Sequence, residues 1–236
     1  MSIPRRRFRP LRAALVALSS AAVLAGCDGG LLPESARRNT LPERHPILFV
    51  HGWNSSGTVW GTMISRFKAD GWTDAQLHRW SYNTSQSNAT TAKVIAAKVD
   101  SILAATGASK VDVITHSMGG LSSRYYLKSL GGDSSVDAWV SLGGPNHGTT
   151  SAYGCTQTSC VEMRPGSTFL KNLNAVDETP GTPRYATWWS ACDLVIDPDN
   201  SVLLTGATNT QTACLSHSDL YNDATVYAQV RALVNP

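Results

Sequence analysis

The chain has 236 residues, 42% of them apolar and 16% charged, a length and an apolar mass that suit one globular domain and exclude disorder, collagen-like repetition and coiled coil. The formal charge of +3 misleads, because Arg5, Arg6, Arg7, Arg9 and Arg12 all lie at the N-terminus. Subtracting those five from the 20 Lys and Arg leaves 15 against 17 acidic residues, a balance of −2, so no basic patch persists downstream to hold nucleic acid.

The basic cluster precedes an apolar run at 11–25 that is too short for a comfortable permanent span. Together they read as the n-region and h-region of an export signal. The run ends in Leu24-Ala25-Gly26-Cys27, which resembles the lipobox of bacterial lipoproteins, where cleavage leaves an N-terminal cysteine that is then acylated. The resemblance implies a signal peptide at 1–26, lipidation of Cys27 and an anchor in the cell envelope; ordinary signal cleavage with release of a soluble protein is the alternative. Residues 27–43 contain Gly29-Gly30, Pro33 and Pro42 among polar residues and read as a tether. The folded domain is expected over 44–236. Of five cysteines, Cys27 is taken by the lipid reading, and the remaining four can form two disulfides in three connectivities.

Beyond the tether, short apolar runs alternate with amphipathic segments and no internal repeat is visible, as in parallel α/β sheets. Ile47-Leu48-Phe49-Val50 reads as a buried strand, followed by a turn at Gly52 and a helical stretch at 59–68. Residues 77–82 read as a second strand and 89–105 as an amphipathic helix ended by Gly107. Val111-Asp112-Val113-Ile114 is the next strand, 118–130 a helix closed by Gly131-Gly132, and 138–142 another strand. Right-handed crossovers are expected between them. Residues 145–182 break the rhythm with repeated Pro and Gly and hold one short helical candidate at 169–173. Such an excursion after a strand's carboxyl end usually walls a binding crevice. Further strand candidates lie at 185–189 and 202–204, the second alternatively a packed loop, and 219–234 reads as a closing helix.

The strand at 111–114 runs into Thr115-His116-Ser117-Met118-Gly119-Gly120 and then a helix, the context of a nucleophile elbow. Gly119 and Gly120 supply the downstream glycines, and Thr115 departs from the upstream one. With His51-Gly52-Trp53 after the first strand and Leu142-Gly143-Gly144-Pro145-Asn146-His147-Gly148-Thr149 after a later one, the chain resembles the small secreted bacterial lipases of the α/β-hydrolase superfamily, the Bacillus-type and actinobacterial triacylglycerol lipases. The resemblance covers roughly residues 44–234. It implies an α/β-hydrolase fold, a mostly parallel sheet flanked by helices, compact and with no large lid, although 145–182 could act as a small one.

In that fold the acid and the base follow the nucleophile in chain order. His45, His51 and His78 precede Ser117, His116 adjoins it and is expected to pack or hydrogen-bond, and His147 directly follows a strand. His217 lies in a polar loop before the last helix, where the catalytic histidine of the family falls. Ser190-Ala191-Cys192-Asp193 aligns with the acid-bearing segment of the family; Asp197 and Asp199 sit in a turn-like cluster with Pro198 and Asn200, and Asp219 suits a cap on the final helix. The resemblance thus implies Ser117, Asp193 and His217 as catalytic residues, with the backbone N–H groups of Trp53 and Met118 as oxyanion hole and His51 supporting that loop. If Asp193 and His217 meet, Cys192 and Cys214 are neighbours and pair, which leaves Cys155 for Cys160.

The expected activity is hydrolysis of acylglycerols or similar fatty acyl esters by a monomer, with no cofactor, metal or nucleic-acid partner and with membrane association only through Cys27. An acyltransferase or a polyester depolymerase would use the same triad. A non-catalytic lipoprotein keeping the fold as a binding surface is the reading from another class.

Overall fold

In the computed structural model residues 44–234 are described; the expected signal, Cys27 and the tether lie outside the described residues. Six parallel strands form the sheet: β1 (Ile47–Val50), β2 (Leu77–Arg79), β3 (Val111–His116), β4 (Val136–Leu142), β5 (Arg184–Trp189) and β6 (Thr208–Gln211), in the order β2-β1-β3-β4-β5-β6. The continuous apolar run of β1 and the full burial of β3 follow from their central places, since a strand covered on both faces buries residues in both registers.

Helices α1 (Gly61–Ala69), α2 (Asn88–Thr106), α3 (Gly119–Ser129), α4 (Thr158–Met163), α5 (Thr168–Asn174) and α6 (Ala224–Val234) complete the fold. Ile47 and Phe49 pack with Met63 and Phe67 of α1 and Val226 and Val230 of α6. Leu48 and Val50 turn to the other face, against Ala92, Ile95 and Val99 of α2 and Leu127 of α3. The alternation of side chains along β1 therefore builds a three-layer sandwich.

Four expectations change. The second strand stops at Arg79 instead of running to residue 82, because residues 80–82 turn across the loop after β1, where Ser81 Oγ accepts the Gly57 N–H and the Tyr82 hydroxyl donates to the His51 carbonyl. Residues 202–204 are not a strand: a 3-10 turn occupies Asp199–Val202, and the last strand is the polar Thr208–Gln211. The excursion holds two helices, α4 and α5, where one was expected. The closing helix is broken, with a 3-10 turn at Asp219–Tyr221 ahead of α6. Asp223 caps α6 by accepting the N–H groups of Thr225 and Val226 at 2.8 and 2.9 Å, whereas the Asp219 carboxylate accepts from the Ser216 hydroxyl at 2.5 Å.

Candidate active site

All strands point their carboxyl ends to one edge, and the expected site residues collect there. β3 ends at His116, and Ser117 turns at φ 54° before α3 begins at Gly119. A non-glycine residue held in the left-handed region costs about 1–3 kcal/mol and persists only where its surroundings fix it. Here Ser117 N–H donates to the Leu142 carbonyl at 2.9 Å. Two glycines make room for the turn. A Cβ on Gly52 would lie 2.7 Å from Ser117 Cβ, and one on Gly119 would lie 2.6 Å from the Val50 carbonyl oxygen. Thr115, the departure from the upstream glycine, is fully buried, and its hydroxyl donates to the Val140 carbonyl at 2.8 Å. A side chain is accommodated at this position because its one polar group has a partner.

Asp193 follows β5, and His217 lies in the loop that returns from β6 to α6. Their side chains meet, with His217 Nδ1 2.7 Å from Asp193 Oδ2. The second carboxylate oxygen accepts the N–H groups of Val195 and Ile196 at 2.9 and 3.1 Å, so Asp193 is fixed from both sides. Disulfides join Cys192 to Cys214 and Cys155 to Cys160. The first ties the two loops that carry Asp193 and His217.

Ser117, 8% exposed, and His217 open onto one pocket of about 300 Å³, walled by Trp53, Ala152, Met163, Val195 and Ile196. Among the described residues no hydrogen bond joins Ser117 Oγ to His217; such bonds are often long before substrate binds. The N–H groups of Trp53 and Met118 find no acceptor among the described residues, which leaves them free to receive a ligand oxygen.

The other histidines separate from this pair. His116 Nε2 donates to the His217 carbonyl at 3.0 Å, and its ring packs on the rings of His217 and Tyr221, with centroids at 4.4 and 4.7 Å. Burial and then the charge of His217 hold its pKa well below the ordinary value of 6.5, so it is a neutral N–H donor that seats the His217 backbone. His51 Nδ1 lies 2.9 Å from the Gly52 carbonyl oxygen, and its ring stacks on Tyr82 at 4.2 Å; burial lowers its pKa as well. His147 is turned away, paired with Glu178 at 2.7 Å. Asp193, Asp197 and Asp199 diverge: Asp197 accepts from the Thr150 hydroxyl, and Asp199 accepts the Asn200 N–H at 2.7 Å.

Sequence reading missed Tyr82 and Tyr221. Tyr82 pins the loop after β1, and Tyr221 backs His116 from the turn ahead of α6. Neither lies in a motif, since both act through tertiary contact.

The family model described as lipase (class 2) matches residues 44–232. Among solved structures, the mature form of the Bacillus licheniformis lipase BlEst2 superposes with a TM-score of 0.72 at 20% identity, over 83% of this chain and 94% of that one. Aspergillus fumigatus lipase B gives 0.65 at 17% identity, over 86% of this chain and 57% of its own. These likenesses, with the parallel six-stranded sheet, establish the α/β-hydrolase fold. No curated protein matches by sequence.

Proposed function

We propose that this chain, which belongs to the class 2 lipase family, cleaves acylglycerols or similar fatty acyl esters through a covalent acyl-enzyme on Ser117. The observation that carries the reading is the 2.7 Å contact between His217 Nδ1 and Asp193 Oδ2, made where His217 lines a largely apolar pocket together with Ser117 at its left-handed turn. Asp193 accepts a hydrogen bond from Nδ1–H, which keeps that proton on the ring and so leaves Nε2 as the base. His217 Nε2 removes the Ser117 hydroxyl proton as Oγ attacks the ester carbonyl. The oxyanion is received by the N–H groups of Trp53 and Met118, a term of about 3 kcal/mol per donor in such sites. Collapse expels the alcohol, which takes its proton from His217, and water then repeats the sequence to release the acid.

A serine-directed phosphonate should label Ser117 in the intact protein, and Ser117→Ala should abolish both label and turnover. His217→Ala should cost nearly as much in kcat, and Asp193→Asn somewhat less. Label retained elsewhere, or a greater loss from His147→Ala or Asp197→Asn, would overturn the assignment. An acyl-chain series of chromogenic esters then reads the substrate class. The two disulfides support export. We further assign the mature N-terminus to an acylated Cys27 and the domain to residues 44–236; an N-terminal peptide without acyl mass would reject the anchor.

A further inference from the structure

The edge of the sheet opposite the pocket holds a second cluster of chemistry-bearing side chains that ester hydrolysis does not use. His45 precedes β1, Asp112 is the second residue of β3, Asp137 the second of β4, and Arg184 opens β5. Asp112 is fully buried between Val111 and Val113, at the point where the β3–β4 register shifts. A lone carboxylate there is costly unless both oxygens are satisfied. One is: Asp112 Oδ1 accepts the Ala138 N–H at 3.0 Å. The other, Oδ2, is buried with no partner.

His45 stands between the two carboxylates, at ion-pair range of each. Its Nδ1 lies 3.9 Å from Asp112 Oδ1 and 3.6 Å from Asp137 Oδ2, beyond hydrogen-bond length to both. Those separations resemble the spacing between two ligands of one ion: zinc bonds of roughly 2.0–2.2 Å in tetrahedral array set ligand atoms about 3.3–3.6 Å apart. One ligand atom from each of the three residues falls within 4.8 Å of the others. The outer contacts are those that orient metal ligands. The Ala138 N–H holds Asp112, and Arg184 pairs with Asp137 while also reaching the Leu233 carbonyl. An ion here competes with the imidazole proton, which Asp112 and then Asp137 favour; once that proton leaves, two carboxylates against one guanidinium give a net negative charge. The His45 and Asp137 side chains are each 27% exposed, which gives an ion a way in.

We propose that His45, Asp112 and Asp137 bind one divalent transition-metal ion of the zinc type, clasping the start of the folded domain to β3 and β4. A mixed imidazole and carboxylate set selects such ions over calcium and magnesium, which take oxygen ligands only. The role is structural and lies far from the ester site, so it stands or falls independently of the function proposed above.

Calorimetric titration of the chelator-stripped protein with zinc chloride, beside thermal melts with and without the ion, tests it. One zinc per chain should bind saturably and raise Tm, and calcium and magnesium should do neither. His45→Ala should weaken zinc binding at least tenfold and erase the shift in Tm, as should Asp137→Asn, while His147→Ala leaves both in place. His45 meets the two carboxylates only at 3.6 and 3.9 Å, so its variant keeps the test open if loss of the Arg184 partner prevents Asp137→Asn from folding. Zinc binding that is absent, or that survives His45→Ala unchanged, overturns the proposal.

Discussion

Residues around Ser117 show how one sequence position serves several demands. His116 is chained to Ser117 by the peptide bond and to His217 by its own Nε2–H on the His217 carbonyl, so the turn and the histidine loop share one support. The groups that face its ring are His217, Tyr221 and, from the loop after β1, His51. None is a carboxylate, and burial with the His217 charge pushes its pKa well below 6.5. The unfolded chain therefore takes up a proton near pH 6.5 that the folded protein refuses. The stability contributed by neutral His116 is full above that pH and is lost as pH falls through it toward the folded value. His116→Gln keeps an N–H donor for the His217 carbonyl but cannot titrate. The wild type should lose more Tm between pH 7.5 and 5.5 than this variant, and parallel losses in the two proteins would refute the account. The expectation that His116 plays a structural part was readable from its place beside Ser117. Its bond to residue 217, 101 positions away, was not.

Elements with strong periodicity were legible and polar ones were not. The strands at β1 and β4 and the helix α2, closed by Gly107 at φ 72°, follow from runs of apolar residues and a left-handed cap. β6 is Thr-Asn-Thr-Gln at the exposed edge of the sheet, with one neighbour and little to bury, so neither alternation nor an apolar run marks it. α4 is six residues long and is held from outside: Glu162 accepts from the Ser87 hydroxyl at 2.6 Å and the Asn88 N–H at 2.7 Å. The Cys192–Cys214 bond was argued from the expected meeting of Asp193 and His217, and the structure holds both contacts. It spans 22 positions, for which the chain-entropy model gives about 3 kcal/mol. The bond also links the loops of Asp193 and His217. Replacing both cysteines by serine should lower Tm and reduce kcat more than it raises KM. Loss of the Cys155–Cys160 bond, which closes a separation of 5 and brings Cys155 to the pocket lining, should act mainly on KM and on the chain-length preference of the proposed ester substrates. Equal kinetic signatures from the two deletions would contradict the division.

At the scale of the whole molecule, the three-layer sheet leaves one face of its carboxyl edge to be covered, and residues 145–182 cover it. The sequence located this wall by its prolines and glycines but left open whether it moves. The structure fastens it at separate points. Besides Glu162, the Ser159 hydroxyl donates to the Thr84 carbonyl at 2.6 Å, and Lys128 donates to the Leu173 carbonyl at 2.9 Å. Arg124, buried in α3 with its pKa lowered by burial to about 10 and so still charged at neutral pH, donates to Asn174 at 2.9 Å and the Glu178 carbonyl at 3.2 Å. Beneath these bonds Met118 and Leu121 pack with Ala152, Met163, Leu170 and Leu173. Lifting such a segment would expose that apolar cluster and leave a buried guanidinium unpaired, a cost of several kcal/mol that a lipid surface would have to offset. A wall fastened in this way is expected to stay in place, with Ser117 reached through the pocket it lines. The rate on tributyrin should therefore rise hyperbolically with concentration and pass through the solubility limit without a break. A sharp increase in velocity where droplets first form would show that the wall opens at an interface after all, and Glu162→Gln, which weakens its tie to α2, should then raise the rate below the solubility limit and shrink that jump.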